Sequence, residues 1–155
     1  MQNNKQKYSE RFQGLIKASL IVTSSLQRRH VIKSILELAR EIVQSEAASI
    51  FLIDKKTNQL VFEFSTDLDQ QQIKDIKVPL GEGIAGYVAQ YGKSLNIKDV
   101  KKDPHFYAQV DQKTGFETKS LLCIPLKIQD KIIGTAQVIN KMGYAHFSTI
   151  DQELL

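Results

Sequence analysis

Apolar residues along this chain change their spacing several times, and the changes mark out its elements. In residues 8–27 the positions Phe12, Leu15, Ile16, Leu20, Val22 and Leu26 follow a near-heptad stripe, which predicts a helix with one narrow apolar seam. Arg28-Arg29-His30 interrupts the stripe and predicts a short break. Residues 31–44 then present a wider face made by Val31, Ile32, Ile35, Leu36, Leu38, Ala39, Ile42 and Val43, the pattern of a helix laid on a core. Next the period shortens. Residues 48–53 read as a strand, 54–58 as a polar turn and 59–65 as the return strand of a hairpin. Residues 67–74 are polar and predict a loop or short helix, and Ile76-Lys77-Val78 alternates like an edge strand.

The second half repeats these signals in a different order. A glycine pair starts a short helix over residues 84–91, a brief strand covers 94–97, and a helical turn covers 104–110. Residues 120–128 and 131–139 form a second hairpin around Gln129-Asp130. Ser148 is a helix N-cap, followed by a helix over 149–155 that the end of the chain interrupts. The expectation is a piece of a longer signalling protein. Helices at both ends of two hairpins predict an α+β domain around an antiparallel sheet.

Composition narrows the function classes. A chain of 155 residues suits one domain with a real core, and 42% hydrophobic with 25% charged residues is ordinary for a globular protein. The net charge of +4 is modest and its lysines interleave with acids, which argues against nucleic acid as a partner. The longest uncharged run, residues 18–27, is far short of a membrane span, and Met1-Gln2-Asn3-Asn4 does not begin a signal peptide. The single cysteine, Cys123, has no disulfide partner in the chain and sits in an apolar run, so it reads as an inert buried thiol. The expected setting is cytoplasmic, with neither membrane nor nucleic acid as partner.

Candidate chemistry concentrates between residues 77 and 141. Gly83-Ile84-Ala85-Gly86 stands where a loop becomes a helix; Asp99 and Asp103-Pro104 follow, and then Val110-Asp111-Gln112-Lys113-Thr114-Gly115-Phe116. The strand Leu121-Leu122-Cys123-Ile124-Pro125-Leu126 comes next, then Asn140-Lys141, with Phe147 and Asp151 beyond. In order and spacing, from Ala47 to the end, this resembles the GAF domains of cyclic-nucleotide phosphodiesterases and adenylyl cyclases. The resemblance implies a six-stranded antiparallel sheet with helices on one face and a ligand lid on the other. It divides the chain into a linker or dimerisation helix (1–28) and the GAF domain proper (29–155). It also implies a regulatory sensor, not a catalyst.

The family's roles carry over residue by residue. Asn140, Lys141, Phe147 and Asp151 match its closing motif, with Gln152 where the family has glutamate; a Lys141–Asp151 pair would fix the last helix to the sheet. The backbone of Ile84 and Ala85 would hold a phosphate at a helix N-terminus, where Gly83 and Gly86 allow close approach, and Tyr107 matches an aromatic hydroxyl beside it. Asp111, Thr114 and Thr118 match the lid and would meet polar groups of the ligand. At the base end the matching positions are Ser49, Ser65, Thr66 and Gln137. Ser65 and Thr66 replace an aromatic ring and an acid, so the stacking ring falls to Phe62 or Phe64, and the missing carboxylate tilts the expectation from cGMP toward cAMP.

Other chemistries lack their residues. Relatives of this fold that reduce methionine sulfoxide need a second, resolving cysteine. Bilin attachment needs a cysteine in a pocket loop, and haem needs an axial histidine, whereas His30, His105 and His146 read as solvated. No Cys or His recurs at metal-ligand spacing, Glu82 has no partner acid or base nearby, and Gly81 to Gly86 lacks the Lys-Ser/Thr of a nucleotide-triphosphate loop. The expectation is therefore a non-enzymatic domain without cofactor, which binds a cyclic nucleotide, orders a lid over residues 99–118 and shifts its terminal helices. The rival expectations are a ligand-free module that homodimerises through its terminal helices, and a sensor of another small metabolite.

Overall fold

The structure, a computed structural model, describes the backbone of residues 2–21 and 25–155, and the side chains of 7–18 and 27–155. Its centre is a six-stranded sheet in the order β3-β2-β1-β6-β5-β4, antiparallel throughout. The strands are β1 (Ser45–Asp54), β2 (Gln59–Ser65), β3 (Lys77–Pro79), β4 (Leu95–Ile97), β5 (Leu121–Ile128) and β6 (Lys131–Lys141). The two longest, β1 and β6, pair at the centre, where both faces are covered.

Helices α1 (Gln2–Ile21), α2 (Ser25–Ile42) and α6 (Thr149–Leu154) cover one face. Ile32 and Leu36 of α2 and Val43 just after it are fully buried there, together with Ile16 of α1, Ile50, Leu122 and Phe147. The other face is not left to a lid alone. It carries α4 (Gly83–Tyr91), the small helices α3 (Gln70–Ile73) and α5 (Gln109–Thr114), and a single 3-10 turn, Val100–Lys102. Ile84 and Val88 of α4 pack with Ile97, Val100, Leu121 and Cys123.

The break expected at Arg28-Arg29-His30 is absent: all three residues lie inside α2. Arginine is a good helix former, so a polar triplet interrupts an apolar stripe without interrupting a helix. The stripe itself is only partly used. Ile16 is buried and Phe12 packs against the core, while Leu15 stays about half exposed at 49%. The side chains of Leu20, Val22 and Leu26 lie outside the described residues. The helical turn expected over 104–110 falls later, because Asp103 and the turn after it delay α5 until Gln109; the helix then stops at Gly115, whose φ of +72° suits glycine.

One irregularity sets the faces of the sheet. Ile50 pairs with Phe64 and Phe51 with Phe62, so Glu63 is an extra residue in β2. The inserted residue inverts the alternation. Phe64 joins the helix-side core, and Phe62 turns to the opposite face against Phe51.

The C-terminal end is held by the expected pair. Lys141 Nζ lies 2.9 Å from Asp151 Oδ1 and also donates to Val43 O at 2.8 Å. Ser148 and Asp151 form a reciprocal capping box at the start of α6. Burial alone would raise the Asp151 carboxyl, but the Lys141 ammonium and the Ser148 donors outweigh it and hold it below its ordinary value.

Candidate functional site

A cavity of about 70 Å³ lies on the sheet face opposite α1 and α2. Its floor is Ala47 and Phe51 of β1, Phe62 and Ser65 of β2, Leu121 of β5, and Gln137 and Ile139 of β6. Its far side is the first turn of α4, and its roof is the segment from Phe106 to Thr118. Of the residues expected from the sequence, Ser65, Ile84, Ala85, Tyr107, Asp111, Thr114, Thr118 and Gln137 come together in this wall.

Ser49 and Thr66 do not line it. Ser49 occupies the same cross-strand row as Ser65 and Gln137, but it is only 1% exposed, and its Oγ has no hydrogen-bond partner. Thr66 is a brace: its Oγ1 accepts from Ala48 N at 3.0 Å and donates to Asp67 Oδ1 at 3.0 Å.

The α4 end is built for close approach. Glu82 precedes the helix without capping it through its side chain, so no side chain occupies the first-turn amides. Gly83 has a φ of +63°, and a Cβ there would stand 2.9 Å from the Tyr107 Cβ, so the lid rests directly on the helix start. Tyr107 turns its hydroxyl to Gln109 Oε1 at 2.7 Å. The His105 ring packs on Tyr87 with centroids 4.5 Å apart, and its Nδ1 lies 3.1 Å from Asp103 Oδ1. His105 is thus a packed part of the lid, not the solvated residue expected.

The lid is stapled internally. Thr118 donates from its N to Asp111 Oδ2 at 2.8 Å and from its Oγ1 to Asp111 Oδ1 at 2.7 Å. Thr114 Oγ1 donates to Val110 O at 2.8 Å and accepts from Phe116 N at 3.3 Å. Asn140 anchors the lid's exit. Its Oδ1 accepts from Lys119 N at 2.7 Å and Ser120 N at 3.2 Å, and its Nδ2 donates to Glu117 O at 2.8 Å and Glu46 Oε2 at 2.9 Å.

Several wall residues escaped the sequence reading. Phe51, Phe106, Phe116, Leu68 and Val110 add to its apolar lining. The alternation of β1 and the aromatics flanking the lid motif were the available signals. Of Phe62 and Phe64, it is Phe62 that lines the cavity, with its ring 4.3 Å from that of Phe51. Asp67, one residue beyond Thr66, also lines the cavity. Partial burial raises its carboxyl above the ordinary value, against the neighbouring Thr66 and Ser65 hydroxyls.

Cys123 packs beneath α4 and is not part of the cavity wall. Cys123 is fully buried, and burial pushes its thiol up to about 12, with Thr135 offsetting only part of the effect. No group of three or more potential metal ligands exists among the described residues.

The domain is thus an α+β unit with a cavity between an antiparallel sheet, a helix N-terminus and a hydrogen-bonded lid. The chain belongs to the GAF domain family, whose model matches residues 27–155. It is 38% identical over 121 residues to a probable 3′,5′-cyclic phosphodiesterase of Caenorhabditis elegans, covering 72% of this chain and 16% of that protein. It is 39% identical over 121 residues to a dual 3′,5′-cyclic-AMP and -GMP phosphodiesterase of Takifugu rubripes, covering 72% of the chain and 13% of the relative. A Drosophila melanogaster dual phosphodiesterase is 33% identical over 147 residues, 86% of this chain and 10% of its own length. The chain therefore spans a small part of these relatives, their GAF region. Among solved structures, the GAF domain of a phosphoenolpyruvate-protein phosphotransferase from Coxiella burnetii superposes with a TM-score of 0.72 at 18% identity, over 97% of this chain and 87% of that one. A free methionine-R-sulfoxide reductase from Neisseria meningitidis has the same fold, with a TM-score of 0.65 at 19% identity over 95% and 83% of the two chains. No helix among the described residues is long and apolar enough to cross a membrane.

Proposed function

We propose that this domain is the cyclic-nucleotide sensor of a larger cytoplasmic signalling protein, and that it regulates an effector outside this chain. The observation that carries the reading is the convergence of three chemistries on one cavity: unoccupied first-turn amides of α4, the Asp111–Thr118 lid, and the tilted Phe51–Phe62 pair. The amides of Ile84 and Ala85 suit a single diffuse phosphate charge, with the base of the Tyr107 side chain packed at the same end. Phe62 offers a ring for a base to lie against. Asp111, Thr114 and Thr118 supply directed acceptors and donors for polar groups of the ligand.

The cavity measures about 70 Å³, whereas pockets for small ligands run from roughly 300 Å³ upward. Nucleotide entry therefore requires the lid to move away from the sheet. The lid continues into Lys119 and Ser120, which hang on Asn140; the next residue, Lys141, holds α6 through Asp151. These contiguous bonds give a lid movement a route to the terminal helices. The response is a population shift, whose size is set by the nucleotide's differential affinity for the two lid positions.

Thermal unfolding with cAMP, with cGMP and without ligand tests the reading. A nucleotide at about 100 times its dissociation constant adds roughly 2.7 kcal/mol, a shift that a melt resolves. Asp111→Ala with Thr118→Ala removes that shift. The absence of any shift in the native domain overturns the assignment.

A second reading has its own observation. Tyr8, Leu15, Leu38 and Ile42 are each about half exposed along a groove that α1 and α2 share with Leu154. Apolar residues so grouped suit a homodimer through the terminal helices, with or without a ligand in the cavity. Sedimentation of native protein and of Leu38→Glu separates the two readings, because a monomeric variant that still binds nucleotide makes dimerisation dispensable for sensing.

A further inference from the structure

We propose that the hairpin-turn end of the sheet is a docking surface for an anionic lipid membrane, held there by lysines that the fold gathers from separate parts of the chain. The proposal does not depend on what fills the cavity.

Strand register places the surface. β1 ends at Asp54, opposite Gln59 at the start of β2, and Gln59 pairs in turn with Pro79 at the end of β3. Leu52 pairs with Gly134, so the turn at 129–130 between β5 and β6 projects from the same end as the turn at 55–58. Lys55 and Lys56 stand on the first turn, and Lys127 and Lys131 flank the second. Lys77 of β3 acts on the Asp54 carboxyl from the side. Lys127 Nζ lies 3.8 Å from where a Cβ on Gly92 would stand, which brings Lys93 to the same end. All six lysines are exposed, and among the described residues none forms an ion pair. The acids of this end are Asp54, Asp130 and Glu82, whose N donates to Pro79 O. Asp54 is already engaged by its own turn, accepting from Lys56 N at 2.9 Å and Thr57 Oγ1 at 3.0 Å. Along the sequence these lysines interleave with acids; on the folded surface they form a patch with an excess of positive charge.

Three features select a lipid surface as the occupant. The cations are lysines, point charges on flexible stems, without the rigid fork by which arginine grips a fixed phosphate or carboxylate. Lysine is also depleted from interfaces between proteins. The patch runs from β3 to the loop before β4, five strand spacings or about 24 Å, which suits a plane of mobile headgroups. Tyr91, 55% exposed one residue before Gly92, adds an amphipathic ring of the kind that settles at headgroup level. An anionic leaflet attracts each lysine that comes within a Debye length of it.

Flotation of the 155-residue chain with vesicles of phosphatidylcholine, and of phosphatidylcholine mixed with phosphatidylserine, tests the proposal. Binding is expected to the anionic vesicles alone and to weaken as salt rises. Lys55→Glu with Lys127→Glu and Lys131→Glu is expected to lower the partition about a hundred-fold or more, at about five-fold for each lysine lost. The melting temperature should hold, because all three residues are exposed. The same three changed to glutamine should give a smaller loss in the same direction. Lys98→Glu with Lys101→Glu and Lys102→Glu alters the net charge equally but beside the lid, and should leave most of the binding intact. Equal binding to both vesicles, no binding to either, or equal losses in the two glutamate variants overturns the proposal. Capture by duplex DNA or by polyglutamate without vesicle binding also overturns it, and gives the patch to nucleic acid or to an acidic protein.

Discussion

Replacing Asn140 disconnects the lid from the sheet. Its side chain makes four hydrogen bonds that tie Glu117, Lys119 and Ser120 to β6 and Glu46 to the same knot. Asn140 also holds a φ of +58°, which costs asparagine little and alanine more. In Asn140→Ala the amide of the buried Ser120 loses its side-chain acceptor, and the free Glu117 carbonyl loses its donor. Losing bonds of about 1 kcal/mol each, with one or two groups left unsatisfied, gives roughly 2–4 kcal/mol. Left-handed strain adds roughly 1 kcal/mol for alanine. Asn140→Gly suffers the first loss and not the second, so the two variants should differ by about 1 kcal/mol in glycine's favour, less what glycine gives back as chain entropy. Urea denaturation of both variants measures the totals. Hydrogen exchange at the Lys119 and Ser120 amides locates them: protection should fall there and persist through β1. A loss below about 1 kcal/mol in Asn140→Ala, with those amides still protected, would refute the view that this side chain anchors the lid.

Three further predictions concern other buried polar groups. The Asp151 carboxyl lies below its ordinary value of 3.8 in the folded chain, so its contribution is present above that pH and is lost as the pH falls through the lowered folded value. Acid unfolding of native protein should show this component and Asp151→Asn should not. Lys141→Met, which leaves the buried Asp151 without its cation, should cost about 3–5 kcal/mol at neutral pH. Ser49→Ala removes a buried hydroxyl that has no partner, so the free domain should melt no lower than the native one; a lower melting temperature for the variant would mean that Ser49 has a structural partner in solution.

Local chemistry made most of the fold legible. Period-2 runs separated by polar turns located β1, β2, β5 and β6, because a half-buried strand must alternate. Ser148, and the Gly83 turn before α4, announced helix starts, because capping and positive φ are properties of single residues. The Gly-Ile-Ala-Gly turn, the lid motif and the Lys141–Asp151 pair are short segments whose own order identifies the family, and eight of the ten expected ligand residues came together in the wall.

What the tertiary structure decided has one physical cause: a side chain's face depends on everything between it and its strand partner. The extra residue Glu63 turns Phe62 into the cavity and Phe64 out of it, and two phenylalanines two positions apart read identically until that bulge is seen. The same chain end carries Asp67 into the wall and leaves Thr66 as its brace. Ser49 lies in the expected row yet is sealed beneath it, and Arg28 to His30 stay helical because polarity on one arc is not a break. Sequence alone determined which elements form and which family they build. Only the assembled sheet determined which polar groups face the cavity, because burial and register are properties of the packed whole and not of any one segment.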